Sequence, residues 1–292
     1  MVDKAVFDNQ VEPAWCPGCG NFPILNALKQ ALADLDLEPH RVLVVSGIGQ
    51  SSKLPDYIRT NAFTSLHGRP IPIAQAAHLG NHDLKVVVVA GDGDTYGLGG
   101  NHLIHYMRRN VDISVMVHDN RIYGLTKGQY SPTSPPGFVS KTSPPPEGAI
   151  DRPVNPIALA LAAQATFVAR SWSGDPAHLA ETMAAAVSHR GASFLDILQP
   201  CVVFNRNYSY DYFRERVYKL EEEVGYDPAD LESAWRKAQE SDDNIAIGII
   251  YRAEGLPTYE EQVPALKSGP LAEREFRDWT EEDHKELEAE FL

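Results

Sequence analysis

Apolar positions along the chain switch repeatedly between two periods. Between Asn21 and Leu35 they fall at Phe22, Leu25, Leu28, Leu32 and Leu35, the spacing of one helix face. Arg41-Val42-Leu43-Val44-Val45 is an apolar run of strand length that stops at Ser46-Gly47-Ile48-Gly49. A short strand is predicted around Phe63–Leu66, leading to His67-Gly68-Arg69-Pro70 and a helix to about Gly80. Lys85-Val86-Val87-Val88-Val89-Ala90 is apolar throughout, as in a strand covered on both faces. It runs directly into Gly91-Asp92-Gly93-Asp94. A helix to about Arg109 follows, and then a strand over Ile113–Val117 that ends at His118-Asp119-Asn120. Further on, the pattern predicts a helix near 155–164, a strand near 166–169, a helix near 176–189 and a strand over 193–198. Strands alternating with helices over short connections predict an α/β fold with a doubly wound, mainly parallel sheet.

Two stretches break this rhythm. Residues 131–148 are rich in proline and serine and predict a stiff, irregular loop. From 209 onward the chain reads as polar and helical, with one added strand at Ile245–Tyr251. The expected organisation is one domain over 1–208 and a helical C-terminal extension over 209–292.

Hydrophobic residues at 43% and charged residues at 23% are ordinary for a folded domain. The net charge of −14 argues against nucleic acid as a partner, which calls for a basic footprint. Much of the acidity lies late in the chain, at Glu221-Glu222-Glu223 and Glu281-Glu282-Asp283, and reads as solvated surface. No apolar run approaches the roughly 20 residues of a membrane helix. The start lacks a basic segment followed by an apolar core, so no secretory signal is expected. Three cysteines cannot all pair, and two of them form a CxxC, which suggests a reducing compartment and metal or redox chemistry. A cytoplasmic location is the expectation.

Gly91-Asp92-Gly93 follows a buried strand, and Asn120 follows the next one, 28 residues after Asp92. Two parallel strands joined by a crossover bring both carboxyl ends to one crevice, where open α/β sheets bind ligands. The glycines would let the backbone approach a diphosphate, with the next helix offering its first N–H groups. Asp92 and Asn120 would supply hard oxygen ligands to Mg2+, with the backbone carbonyl of Ile122 as a third. A Gly-Asp-Gly turn beside an unrelated Asn is the plainer reading of the tripeptide alone; the two strand ends favour the site. A nicotinamide dinucleotide site is disfavoured, because Gly47-Ile48-Gly49-Gln50 breaks off at Ser51-Ser52 without completing GxGxxG.

GDG followed by an Asn at this distance resembles the thiamine-diphosphate fingerprint of transketolases, acetolactate synthases and 2-oxoacid oxidoreductases. Within that group, Trp15-Cys16-Pro17-Gly18-Cys19-Gly20 resembles the beta subunits of 2-oxoacid:ferredoxin oxidoreductases. So do Ser46–Gly49, Ser51-Ser52-Lys53, Leu66-His67-Gly68-Arg69 and the run from Asn120 to Gln129. The likeness runs from about residue 10 to about 205, with more at 209–250. It implies a thiamine-diphosphate-binding fold and a coenzyme A-dependent oxidative decarboxylation of a 2-oxoacid, reversible as a carboxylation. 2-Oxoglutarate is favoured over pyruvate on resemblance to two-subunit members. Cofactor contacts are expected from Gly47, Ile48, Ser51, Ser52, His67, Gly91, Asp92, Gly93, Asp94, Asn120, Ile122, Tyr123, Gly124, Leu125 and Thr126. His67 and Lys53 are the catalytic candidates, while His102 and His105 read as core or surface residues.

The resemblance also implies an iron–sulfur cluster of the 4Fe–4S type on Cys16, Cys19 and Cys201, passing electrons to ferredoxin. In the family a fourth cysteine lies where this chain has Gln50. That departure leaves several outcomes open: a cluster with a non-cysteine ligand, a three-iron cluster, or no cluster, with the CxxC structural or holding zinc. Thiamine enzymes use a glutamate on a second, pyrimidine-binding domain, and this chain has strands for only one sheet. A partner alpha subunit with that domain is therefore expected, in a dimer of heterodimers. The loop over 131–148 is expected to cover the site. Gln50 also keeps open a non-oxidative thiamine-dependent decarboxylase or synthase subunit, and a zinc or scaffold subunit is a third reading.

Overall fold

In the computed structural model, which describes residues 2–275 and 278–291, eight strands form one sheet. They are β1 (Val42–Ser46), β2 (Asn61–Thr64), β3 (Lys85–Gly91), β4 (Ser114–Asp119), β5 (Phe167–Trp172), β6 (Ser193–Leu198), β7 (Val217–Lys219) and β8 (Ile245–Arg252). Their order is β2-β1-β3-β4-β6-β5-β8-β7. Every pairing is parallel except β5 with β8. The helices are α1 (Asn21–Asp34), α2 (Pro70–Gly80), α3 (Gly100–Arg109), α4 (Pro156–Ala162), α5 (Pro176–Ser188), α6 (Tyr210–Arg214), α7 (Leu231–Ala238), α8 (Tyr259–Gln262) and α9 (Glu281–Glu290).

The central strands bury alternate residues on opposite faces, as the period of two requires. Val87 and Val89 of β3 pack with Leu28 and Leu32 of α1 and Met183 of α5. Val86 and Val88 pack on the other side with Leu103 of α3 and Ile157 of α4. Both faces are thus covered, which explains why β3 reads as an unbroken apolar run.

Three expectations shift. The short second strand ends at Thr64, before Leu66, which is 74% exposed. The helix after GDG is interrupted. Gly93–Leu98 forms a wide π-type turn in which Gly99 N–H donates to the Asp94 carbonyl, and α3 starts only at Gly100. Such one-turn insertions recur at functional sites. Beyond 209, the strand β8 is joined by the short β7, and both extend the same sheet. Residues 131–148 form turns and bends without helix or strand, as their composition predicts.

Candidate functional site at the carboxyl edge of the sheet

Gly91 at the end of β3 pairs in register with His118 of β4, so Asp92 and Asn120 leave the sheet side by side. They open onto a cleft of about 90 Å³. Ile48 and Ser51 after β1, His67 after β2, Gly91–Asp94 after β3, and Asn120 with Ile122–Thr126 after β4 all line it. Gly49 and Gln50 line it too.

Gly47, Ser52 and Lys53 do not line this cleft. Gly47 packs instead against the carboxylate of Asp94: a Cβ there would lie 1.9 Å from Asp94 Oδ2. Ser52 is buried and its hydroxyl finds no hydrogen-bond partner among the described residues; Lys53 is half-buried nearby in the Ser51–Tyr57 turn. Gly93 is held to glycine by the same logic, since a Cβ would lie 2.1 Å from the Tyr123 ring. The Tyr123 hydroxyl donates to the Gly93 carbonyl at 3.1 Å, closing the cleft on that side.

Asp92 is the electrostatic centre. It is 2% exposed and has no ion-pair partner among the described residues; burial pushes its carboxyl up to about 6. Thr133 Oγ1 lies 2.8 Å from Asp92 Oδ2 and also 2.8 Å from Asp119 Oδ1. One hydroxyl proton cannot serve two carboxylates. Burial, reinforced by Asp196 and Asp92, likewise pushes Asp119 well up. Nothing in the pattern of the proline-rich loop marks Thr133; it becomes visible only once the loop is seen folded onto the site. Asp196 is a further residue that sequence patterns do not reveal, accepting from the Tyr96 hydroxyl at 2.8 Å and from Arg170 Nε at 3.0 Å.

Asn120 Oδ1 accepts from Ile122 N–H at 3.1 Å, which shapes the turn after β4. Arg121 within that turn has φ of 55°, a left-handed conformation that is rare for a residue with a side chain. Asn205 Nδ2 donates to the Asn120 carbonyl at 2.9 Å, and the Arg121 guanidinium pairs with Asp242 of the extension and stacks on Tyr208. Asp94 Oδ1 gathers the Gly68 N–H at 2.8 Å and the Ile48 N–H at 3.3 Å, with His67 Nδ1 at 2.5 Å. That carboxylate therefore ties together the loops after β1, β2 and β3.

A second, smaller pocket of about 50 Å³ adjoins this cleft, and Gln50, Asn120 and Gly124 line both. Cys16, Cys19 and Cys201 all line the second pocket, although 182 residues of chain separate Cys19 from Cys201. Burial raises the Cys19 thiol, and the neighbouring Cys201 and Cys16 sulfurs add to that. Among the described residues, His78, Asp112 and Glu260 are the group of three ligand atoms lying within 4.8 Å of one another.

Residues 46–197 match the family model of the thiamine pyrophosphate enzyme C-terminal TPP binding domain. Residues 201–268 match that of the C-terminal part of the pyruvate ferredoxin oxidoreductase beta subunit. The chain is 44% identical to the 2-oxoacid:ferredoxin oxidoreductase 1 beta subunit of Aeropyrum pernix, over 89% of this chain and 84% of that one. It belongs to the 2-oxoacid:ferredoxin oxidoreductase beta-subunit family. Within that family it is also 48% identical to the 2-oxoglutarate oxidoreductase subunit KorB of Mycobacterium tuberculosis, over 73% of this chain and 58% of that one. A solved 2-oxoglutarate:ferredoxin oxidoreductase from Magnetococcus marinus, with 2-oxoglutarate, coenzyme A and succinyl-CoA bound, aligns with a TM-score of 0.89 at 33% identity. The alignment covers 99% of this chain and 95% of that one. This beta subunit is therefore part of an oxidoreductase acting on 2-oxoacids, with a thiamine-pyrophosphate enzyme domain at its centre.

Proposed function

We propose that the chain works with an alpha subunit to convert 2-oxoglutarate and coenzyme A to succinyl-CoA and CO2, with electrons leaving through an iron–sulfur cluster to ferredoxin. One observation carries the redox part: the cleft at the ends of β3 and β4 shares a wall, Gln50, Asn120 and Gly124, with a pocket holding all three cysteines. A non-oxidative decarboxylase has no use for that adjacency. The preference for 2-oxoglutarate and coenzyme A rests on what the KorB relative is named for and what the Magnetococcus marinus enzyme binds.

The residues of the cleft fit thiamine diphosphate and Mg2+. A fully buried carboxyl at Asp92, raised by burial and lacking a counter-ion, is what a divalent cation would relieve. Asp92, Asn120 and the Ile122 carbonyl are the proposed ligands, and the Gly91–Asp94 turn would carry the diphosphate. Bound thiamine diphosphate would supply the electron sink for loss of CO2. Thr133 steadies Asp92, Tyr123 holds the Gly93 turn, and Asp94 fixes His67 at the rim. His67 is half-exposed, free to face a substrate carried in by the partner.

Edge strand β2 supports the need for a partner. All four of its residues are exposed, Phe63 at 49%, whereas strands of a doubly wound sheet are normally covered. Leu66, Leu98 and Leu125 add exposed apolar surface.

The test is anaerobic electron paramagnetic resonance on the chain copurified with its partner. A reduced-cluster signal on adding 2-oxoglutarate and coenzyme A is the expected result. CO2 release with no iron signal would replace this reading with the non-oxidative decarboxylase.

A further inference from the structure

A cubane cluster presents four corners to its protein, and this pocket offers three sulfurs. Besides the sulfurs and Trp15, the polar side chains lining the pocket are Asn21, Gln50, Asn120 and Gln199. Asn120 is already proposed for Mg2+ on the cleft side, where its Oδ1 also accepts from the Ile122 N–H, and Asn21 Oδ1 lies 2.8 Å from His118 Nδ1. Gln199 directs its Nε2 at Cys19 Sγ, 3.5 Å away, a contact that supports a sulfur rather than replacing one. Gln50 Oε1 and Gln199 Oε1 are both shut off from solvent without a hydrogen-bond partner among the described residues. The Gln199 amide is already turned to Cys19, whereas Gln50 lines both cavities and has its backbone carbonyl pinned by the Trp15 indole N–H at 2.8 Å. Buried acceptors without a donor are rare and call for an explanation such as an ion.

We propose that Gln50 takes the fourth corner as a neutral oxygen donor, so that one iron of the cluster is exchangeable while Cys16, Cys19 and Cys201 hold the other three. The proposal rests on the cluster reading under Proposed function. An amide oxygen is a hard, uncharged ligand, and iron in a sulfide core is held far better by thiolate. The weakly held iron is the one beside the diphosphate cleft, because Gln50 lines both cavities. With ferricyanide as one-electron oxidant, the 4Fe–4S core of charge 2+ yields a 3Fe–4S core of charge 1+ and one Fe2+. The electron goes to ferricyanide, which becomes ferrocyanide.

The experiment uses the chain with its partner subunit, purified anaerobically, with iron and sulfide counted before and after one equivalent of ferricyanide. The wild type is expected to release about one Fe2+ per chain and to develop a three-iron resonance, both reversed by ferrous iron with dithionite. Gln50→Cys should keep all its iron and show no three-iron signal, and Gln50→Ala should lose that iron even faster. Equal iron loss from the wild type and Gln50→Cys would overturn the assignment. So would a wild type that keeps every iron while Gln199→Leu loses one, which would give the corner to Gln199. A protein that binds no iron at all would overturn the cluster reading itself, and this assignment with it.

Discussion

Two cavities share a wall in this molecule, and they offer different donor atoms. The cleft at the ends of β3 and β4 offers the oxygens of Asp92, Asp94 and Asn120, and its central carboxyl has no counter-charge among the described residues. The pocket beside it is walled mainly by apolar side chains and three sulfurs. Hard cations seek the first kind of surroundings and thiophilic metals the second. The two sites are also secured differently. The oxygen cleft is assembled from consecutive strand ends, each fixed by the sheet. The sulfur pocket draws on the segment before α1 and the loop after β6, which meet only in the finished fold.

That contrast can be broken from either side. The largest effect is expected from Asp92→Ala. It should weaken Mg2+-dependent thiamine diphosphate binding by at least about 100-fold, judged against the 10–100-fold typical of mere supporting residues, and abolish turnover. Iron content should stay unchanged, and calorimetry with parallel iron analysis separates the two. Replacing both Cys16 and Cys19 with serine should do the reverse, removing iron and ferredoxin reduction while calorimetric cofactor binding persists. Loss of both ligands together in either variant would mean that the cavities form as one unit.

Thr133→Val sharpens the comparison within the oxygen cleft. The hydroxyl steadies Asp92 without joining the cofactor, so Mg2+ affinity should fall about 10–100-fold, measurable by titration of the cofactor's spectral change. The smallest effect is on stability. Asp92 holds a proton in the metal-free fold up to about pH 6, whereas the unfolded chain releases it near the ordinary carboxyl value of 3.8. The native state then binds more protons than the unfolded one, so this group's contribution falls as pH rises through that window. Calorimetric melting of the metal-free protein should show Asp92→Asn gaining on the wild type between about pH 4 and 6. Saturating Mg2+ and cofactor should remove the wild type's deficit.

What the chain discloses in advance follows the same division. Asp92, Asn120 and their glycines are legible because each sits where a periodic apolar run stops, and periodicity is a local signal. Thr133 is not legible: it lies among prolines and serines with no period, and its importance comes from a fold-back onto Asp92 across 41 residues. Cys201 joins Cys16 and Cys19 only by resemblance, since no local pattern carries so long a contact. Strand β7 has three residues, too few for any period to register. Lys53 is marked by resemblance alone, and it lies half-buried in the Ser51–Tyr57 turn, two residues from Ser51 of the cleft.

The bare edge at β2 has a practical consequence for anyone making this protein. Made without a companion, a chain with an open strand whose side chains include Phe63 invites a second copy to add to it, edge to edge. Yield in a host that supplies only this polypeptide would then be governed by aggregation kinetics, and synthesis alongside the companion chain becomes part of folding.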